Sequence, residues 1–207
     1  MIAAVNFFAH GRDVLDSPYE LAGTALPDWL GATDRRARLM PERVGEGALA
    51  AGVRRHWADD ARFHGHAAFH EVSRDLTLRL RHAHADEPRV RASFFGHVLV
   101  EMLLDAALIA REPGQLDRYY RSLEGVRAAR VAAEAAPWLR VPAPRLADTI
   151  RYFREHRFLY GYLDDDALVA RLAGTARRVR LGVPSGLRPL VPAARERVAA
   201  RCDELLS

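Results

Sequence analysis

Nine histidines and 27 acidic residues are spread through this chain, and a few of them fall at spacings that chemistry can use. In the run His56-Trp57-Ala58-Asp59-Asp60-Ala61-Arg62-Phe63-His64, the residues His56, Asp60 and His64 recur at every fourth position. On a helix such residues are neighbours on one face. Imidazole beside carboxylate ligates a divalent metal, or one group orients and tunes the other as a general base. His66 and His70 follow, again four apart. Surface or capping histidines meet the same spacing, so by itself it leaves both readings open.

A second set is His97 and Glu101, with Asp105 four residues further on. Phe94, Phe95, Val98, Leu99, Val100, Met102, Leu103 and Leu104 surround them, so this helix is apolar nearly all round and is expected to be buried. A buried charge must be paired, hydrogen-bonded or bound to metal. His97 and Glu101 therefore need partners, and the first set could supply them from a facing helix. The alternative is a hydrogen-bonded core pair without a catalytic role. Two more polar residues close apolar segments near the start: His10 after Asn6-Phe7-Phe8-Ala9, and Asp28 after Leu21–Pro27. Alone, each reads as a cap or a surface residue.

The elements that must position these residues are helices, since no run of strict alternation argues for a sheet. A short apolar helix is expected over Ile2–His10. Ser17-Pro18 starts a second towards Trp29, with Pro27 kinking or ending it where Asp28 stands. A long helix is predicted from Glu46 to Arg81, then a polar connection over His82–Pro88 and an apolar helix over Arg89–Arg111. Glu112-Pro113-Gly114 stops that helix. Further helices are read over Gln115–Ala135, Leu146–Tyr160, Asp165–Arg178 (with Asp164 or Asp165 as N-cap) and Pro192–Leu206. No internal repeat or linker interrupts them, so one all-α domain over residues 1–207 is expected.

The composition narrows the chemistry. With 49% hydrophobic and 28% charged residues the chain is globular. Lysine is absent, so all 31 basic side chains are arginine, which excludes Schiff-base catalysis and a P-loop lysine. The net charge of +4 is modest and the arginines are dispersed, as on a solvated surface. The minority reading is a footprint for an acidic partner or a phosphorylated small molecule, which guanidinium binds through paired hydrogen bonds. No motif points to nucleic acid. Gly-x-Gly-x-x-Gly, Gly-x-Ser-x-Gly and His-Glu-x-x-His are all missing. Cys202 stands alone among charged residues, remote from any candidate base, and is not expected to act as a nucleophile. One cysteine, no secretory signal at the start and no uncharged stretch of ~20 apolar residues lead us to expect a cytoplasmic protein without a membrane span. The oligomeric state is left open, the apolar excess being compatible with a homodimer.

Taken in order, Asn6-Phe7-Phe8-Ala9-His10, Leu21–Asp28, Gly52-Val53-Arg54-Arg55-His56 with Asp60, and His97 resemble the motifs of the acyl carrier protein phosphodiesterase family. The stretch Tyr152–Leu163 through Leu168-Val169-Ala170-Arg171-Leu172 is similar as well. The order of these short motifs is more specific than any one of them. The resemblance implies an HD-domain-like helical fold, a divalent metal that is typically manganese, and hydrolysis of the phosphodiester joining 4′-phosphopantetheine to acyl carrier protein. It places His10, Asp28, His56, Asp60 and His97 in the polar site. Two positions depart from the family. An aspartate before the later histidine is Gly96 here, and an acidic position past Asp60 is His64. Glu101 and His64 are candidates to complete a different ligand set; otherwise the departures mark another substrate or a dead site.

The leading expectation is a metal-dependent phosphoric-ester hydrolase. His10, Asp28, His56, Asp60, His64 and His97 are its candidate metal ligands. Asp60 and Glu101 are its candidate catalytic carboxylates, and Arg54 or Arg55 neutralises phosphate charge. Nitrogen and oxygen ligands without sulfur favour manganese, iron or zinc. The competing expectations are a non-catalytic helical module that docks an acidic or phosphorylated partner, and a metal-binding protein without turnover.

Overall fold

A computed structural model of the chain describes residues 6–34, 36–83 and 90–206. It is all-α as expected, with 80% of residues helical. Among the described residues there is no strand, only one isolated antiparallel bridge between Leu39 and Leu139. Eleven α-helices are described: α1 (Phe7–Gly11), α2 (Pro18–Thr33), α3 (Ala48–Gly65), α4 (Ala67–Ala83), α5 (Ala92–Arg111), α6 (Pro113–Glu124), α7 (Ala128–Ala135), α8 (Leu146–His156), α9 (Asp165–Arg178), α10 (Leu187–Ala200) and α11 (Cys202–Leu206). The parts of the expected first helix and of the polar connection that fall on residues 2–5 and 84–88 lie outside the described residues, as does Arg89.

The chain's contacts separate into two units. One comprises Phe7–Ala61 and Glu112–Phe158; the other comprises Arg62–Arg111 and Leu159–Ser207, together with Asn6. In the first, α2 packs against α1, α6 and α8. Its core is aromatic: Phe153 touches Phe7 at 4.8 Å and Trp29 at 5.5 Å between ring centroids, and Phe8 meets Tyr119 at 5.8 Å. In the second, α5 packs against α4, α9, α10 and α11. By length and composition α5 could cross a membrane, but most of its apolar window is buried inside the protein, as in a core helix.

Several element boundaries differ from expectation, each for a local reason. The long helix over Glu46–Arg81 is broken into α3 and α4 after Gly65. His66 makes the break: its Nδ1 accepts the Ala68 N–H at 3.1 Å, a side-chain cap for an orphan donor of α4. Helix α2 passes through Pro27 instead of ending there. Proline removes one N–H, that owed to the Gly23 carbonyl, but Leu21, Leu26, Trp29 and Leu30 are buried on both sides of it and hold the helix together. The expected Gln115–Ala135 helix is two, α6 and α7, parted at Gly125. Arg154 satisfies the freed carbonyls there, donating to Leu123 O at 3.3 Å and Val126 O at 2.5 Å. Helix α8 stops at His156 because Arg157 turns left-handed (φ 41°), and a 3-10 segment, Phe158–Leu163, follows. The last helix begins earlier than Pro192, at Leu187, and is interrupted at Arg201. Helix α9 has the expected bounds, with the Asp164 carboxylate accepting the Ala167 N–H at 2.8 Å.

Candidate metal centre

Helices α2 and α3 approach closely at a pair of glycines. A Cβ on Gly52 would lie 2.0 Å from the Glu20 carbonyl, and one on Gly23 would lie 2.1 Å from that of Leu49. Only glycine at both positions lets the two backbones come this near. The approach delivers His56, one turn beyond Gly52, to the Thr24 carbonyl, which its Nδ1 contacts at 2.8 Å. A carbonyl oxygen only accepts, so Nδ1 carries the proton and Nε2 is left with its lone pair, the form in which imidazole binds metal.

His10, near the end of α1, lies face-to-face at a tilt with His56, ring centroids 4.3 Å apart. Both are almost fully buried, at 3% and 4% exposure. His10 Nε2 is buried without a hydrogen-bond partner, and its Nδ1 lies 3.9 Å from Asp59 Oδ2. One ligand atom from each of His10, His56 and Asp60 lies within 4.8 Å of the others. Burial, then the charge of His10, push the His56 pKa down to about 3, against the opposing pull of Asp60, Thr24 and Asp59. Two imidazoles and a carboxylate, one nitrogen orphaned and another held neutral, are a donor set that could hold a metal ion.

Asp28 is buried on α2, one turn after Thr24, but is not among the converging ligand atoms. His64 and His97 converge with Glu101 in a separate group, again with one ligand atom from each inside 4.8 Å. The expected single constellation of His56, Asp60 and His64 is thus divided. Two turns of helix, about 12 Å of rise, part His56 from His64, and one ion cannot take both. Glu101 is fully buried, and its Oε1 accepts from His64 Nε2 and His97 Nε2, each at 3.0 Å. Burial raises its pKa, but the hydrogen bonds and charges of His64 and His97 together outweigh that and hold the carboxyl below its usual value.

The arginines are placed differently from each other. Arg54 is spent on structure, donating to the carbonyls of Val44 and Gly45 at 3.1 and 2.7 Å. Arg55 is half-exposed and 3.5 Å from Glu20 Oε1. Gly96, matched above to a family aspartate, is a packing position: a Cβ there would meet Ser73 O at 2.8 Å and Thr77 Oγ1 at 2.4 Å. His66 is a cap and His70 is exposed. Sequence reasoning missed Asp59 and the Thr24 carbonyl. The Asp59-Asp60 doublet was visible, but spacing alone chose only its second member. Comparison of the chain with protein-family models, curated proteins and solved structures finds no match.

Proposed function

We propose that this chain is a metal-dependent hydrolase of phosphoric esters working at His10, His56 and Asp60. The observation that carries the reading is His56, a buried neutral imidazole whose Nδ1–H is tied to a backbone carbonyl, leaving Nε2 as its ligand atom beside the orphaned Nε2 of His10. A divalent ion held there would polarise a phosphoryl oxygen and lower the pKa of bound water. Asp60 completes the ligand set from the less buried side of α3. Asp59, whose Oδ2 lies 3.9 Å from His10 Nδ1, orients that ring and can hold a proton. Arg55, one turn before Asp59, is the cation for the phosphate, on loosening its pairing with Glu20.

The finer reading is that the ester is the phosphodiester linking 4′-phosphopantetheine to an acyl carrier protein, with manganese as the metal. It rests on the ordered motifs that resemble the acyl carrier protein phosphodiesterase family. An acidic carrier would be attracted by a basic surface built of arginine alone.

The test begins with metal content by plasma mass spectrometry on protein purified without an affinity tag. Hydrolysis of a simple phosphodiester with manganese follows, then release of phosphopantetheine from holo acyl carrier protein. We expect near-stoichiometric metal and a rate reduced about 100-fold or more in His56→Ala, with Asp60→Asn as the milder variant should His56→Ala misfold. Turnover indifferent to chelation and to both substitutions would sink the hydrolase. Metal without turnover would leave a metal-binding protein, and no metal at all a helical binding module.

A further inference from the structure

We propose that His64, His97 and Glu101 form a second divalent-metal site, independent of the centre at His56, with a coordination position open to solvent. Glu101 and His97 are one turn apart on α5, and His64 comes from the last turn of α3. Both Nε2 atoms point at one carboxylate oxygen, each 3.0 Å away. Ligands bound at about 2.0–2.2 Å around a tetrahedral ion lie about 3.4 Å from one another, so each nitrogen need draw back only slightly from the carboxylate oxygen to admit one.

Three observations favour an ion over a simple hydrogen-bonded core pair. First, the other oxygen, Glu101 Oε2, is buried without a hydrogen-bond partner. Leaving a buried carboxylate oxygen unsatisfied on an apolar helix is costly, and a cation shared with Oε1 would satisfy it. Second, the rings are held in place. They stack on one another at 4.8 Å between centroids, and the edge of Phe69 meets His64 at 4.8 Å and His97 at 5.0 Å. Phe63, 4.7 Å from Phe69, extends the same apolar wall. Third, the site has a dry side and a wet side: Glu101 is inaccessible, while the side chains of His64 and His97 keep 26% and 24% of their exposure.

A set of two histidines and one carboxylate with solvent in the remaining position suits zinc, iron(II), manganese or cobalt, and not calcium. In the metal-bound form each ring carries its proton on Nδ1, and the two Nε2–H bonds to Glu101 are replaced by bonds to the ion. His64, standing where the family this chain resembles has an acidic residue, is the departure this site uses, and it meets His97, which matches that family's later histidine.

Cobalt(II) is the probe, titrated into the metal-free full chain and followed by its visible d–d absorption. Wild type is expected to take two equivalents, and His56→Ala one. His97→Ala and the milder His64→Gln should each lose the equivalent that remains in His56→Ala, or bind it at least about tenfold more weakly. No d–d band in a folded His56→Ala protein overturns the second site, as does full binding by both His97→Ala and His64→Gln. A wild type that takes one equivalent, lost in His97→Ala and untouched by His56→Ala, upholds this site and defeats the centre at His56.

Discussion

Folding strips water from His56 and leaves it a neutral imidazole, and the consequence is a stability that depends on pH. In the unfolded chain a histidine gains a proton below about pH 6.5. In the fold, burial and His10 delay that to about pH 3. Between those values the unfolded state holds the extra proton, so stability falls as pH is lowered through the window. Urea unfolding of the metal-free protein should show a lower midpoint at about pH 5 than at about pH 7, and a smaller loss in His56→Gln. Equal losses would mean that His56 is hydrated in the fold. At this scale the sequence was only partly legible. Residue type and spacing were enough to mark His56, Asp60, His64, His97 and Glu101, while His10 entered only through the family resemblance. They were not enough to sort them into two groups, because that depends on which helices meet. Asp59 was passed over because neighbours on a helix point about 100° apart, and only the position of His10 decides which of the doublet it meets.

Between elements, glycine decides how close two helices come, and it does so twice. Gly23 and Gly52 bring Thr24 to His56; Gly96 lets α5 settle on Ser73 and Thr77 of α4. The second case bears on the family resemblance. An aspartate at position 96 has no room, since its first side-chain carbon would already overlap the Ser73 carbonyl. Gly96→Asp, which restores the family residue, should therefore destabilise the protein by about 3 kcal/mol or more, combining overpacking with a buried charge. Gly96→Ala should lose about 1–3 kcal/mol from overpacking alone. Urea midpoints measure both, and a Gly96→Asp protein of normal stability that binds extra metal would reverse the argument. Helix type was readable along most of the chain because apolar residues recur with helical period. The breaks at His66, Gly125 and Arg157 were not, because each is stabilised by a particular side chain or backbone turn that period does not encode.

For the whole molecule, the arginine-only composition reads first as a solvated surface, with a footprint for an acidic partner as the minority reading, and several guanidinium groups are engaged within the chain. Arg201 binds Glu71 and Glu204, Arg195 binds Asp165 and the Tyr162 carbonyl, and Arg154 closes the turn after α6. Exposed pairs of this kind contribute about 0–1 kcal/mol each, so the larger lever on global stability is ligand binding. An ion taken up by the folded chain and not by the unfolded one stabilises by about 2.7 kcal/mol at one hundred times its dissociation constant. For a domain of this size that corresponds to a rise of about 5–11 °C in melting temperature per site. Each unit holds one triad, so manganese or cobalt should raise the wild-type melt by more than either His56→Ala or His97→Ala, and by least in the double variant. Scanning calorimetry across a metal series provides the check. A melt that stays constant while metal binds would show that the ions sit where folding does not build the site, on loose surface carboxylates, and both triads would lose their claim. A shift abolished by one single substitution alone would leave only the triad containing that residue.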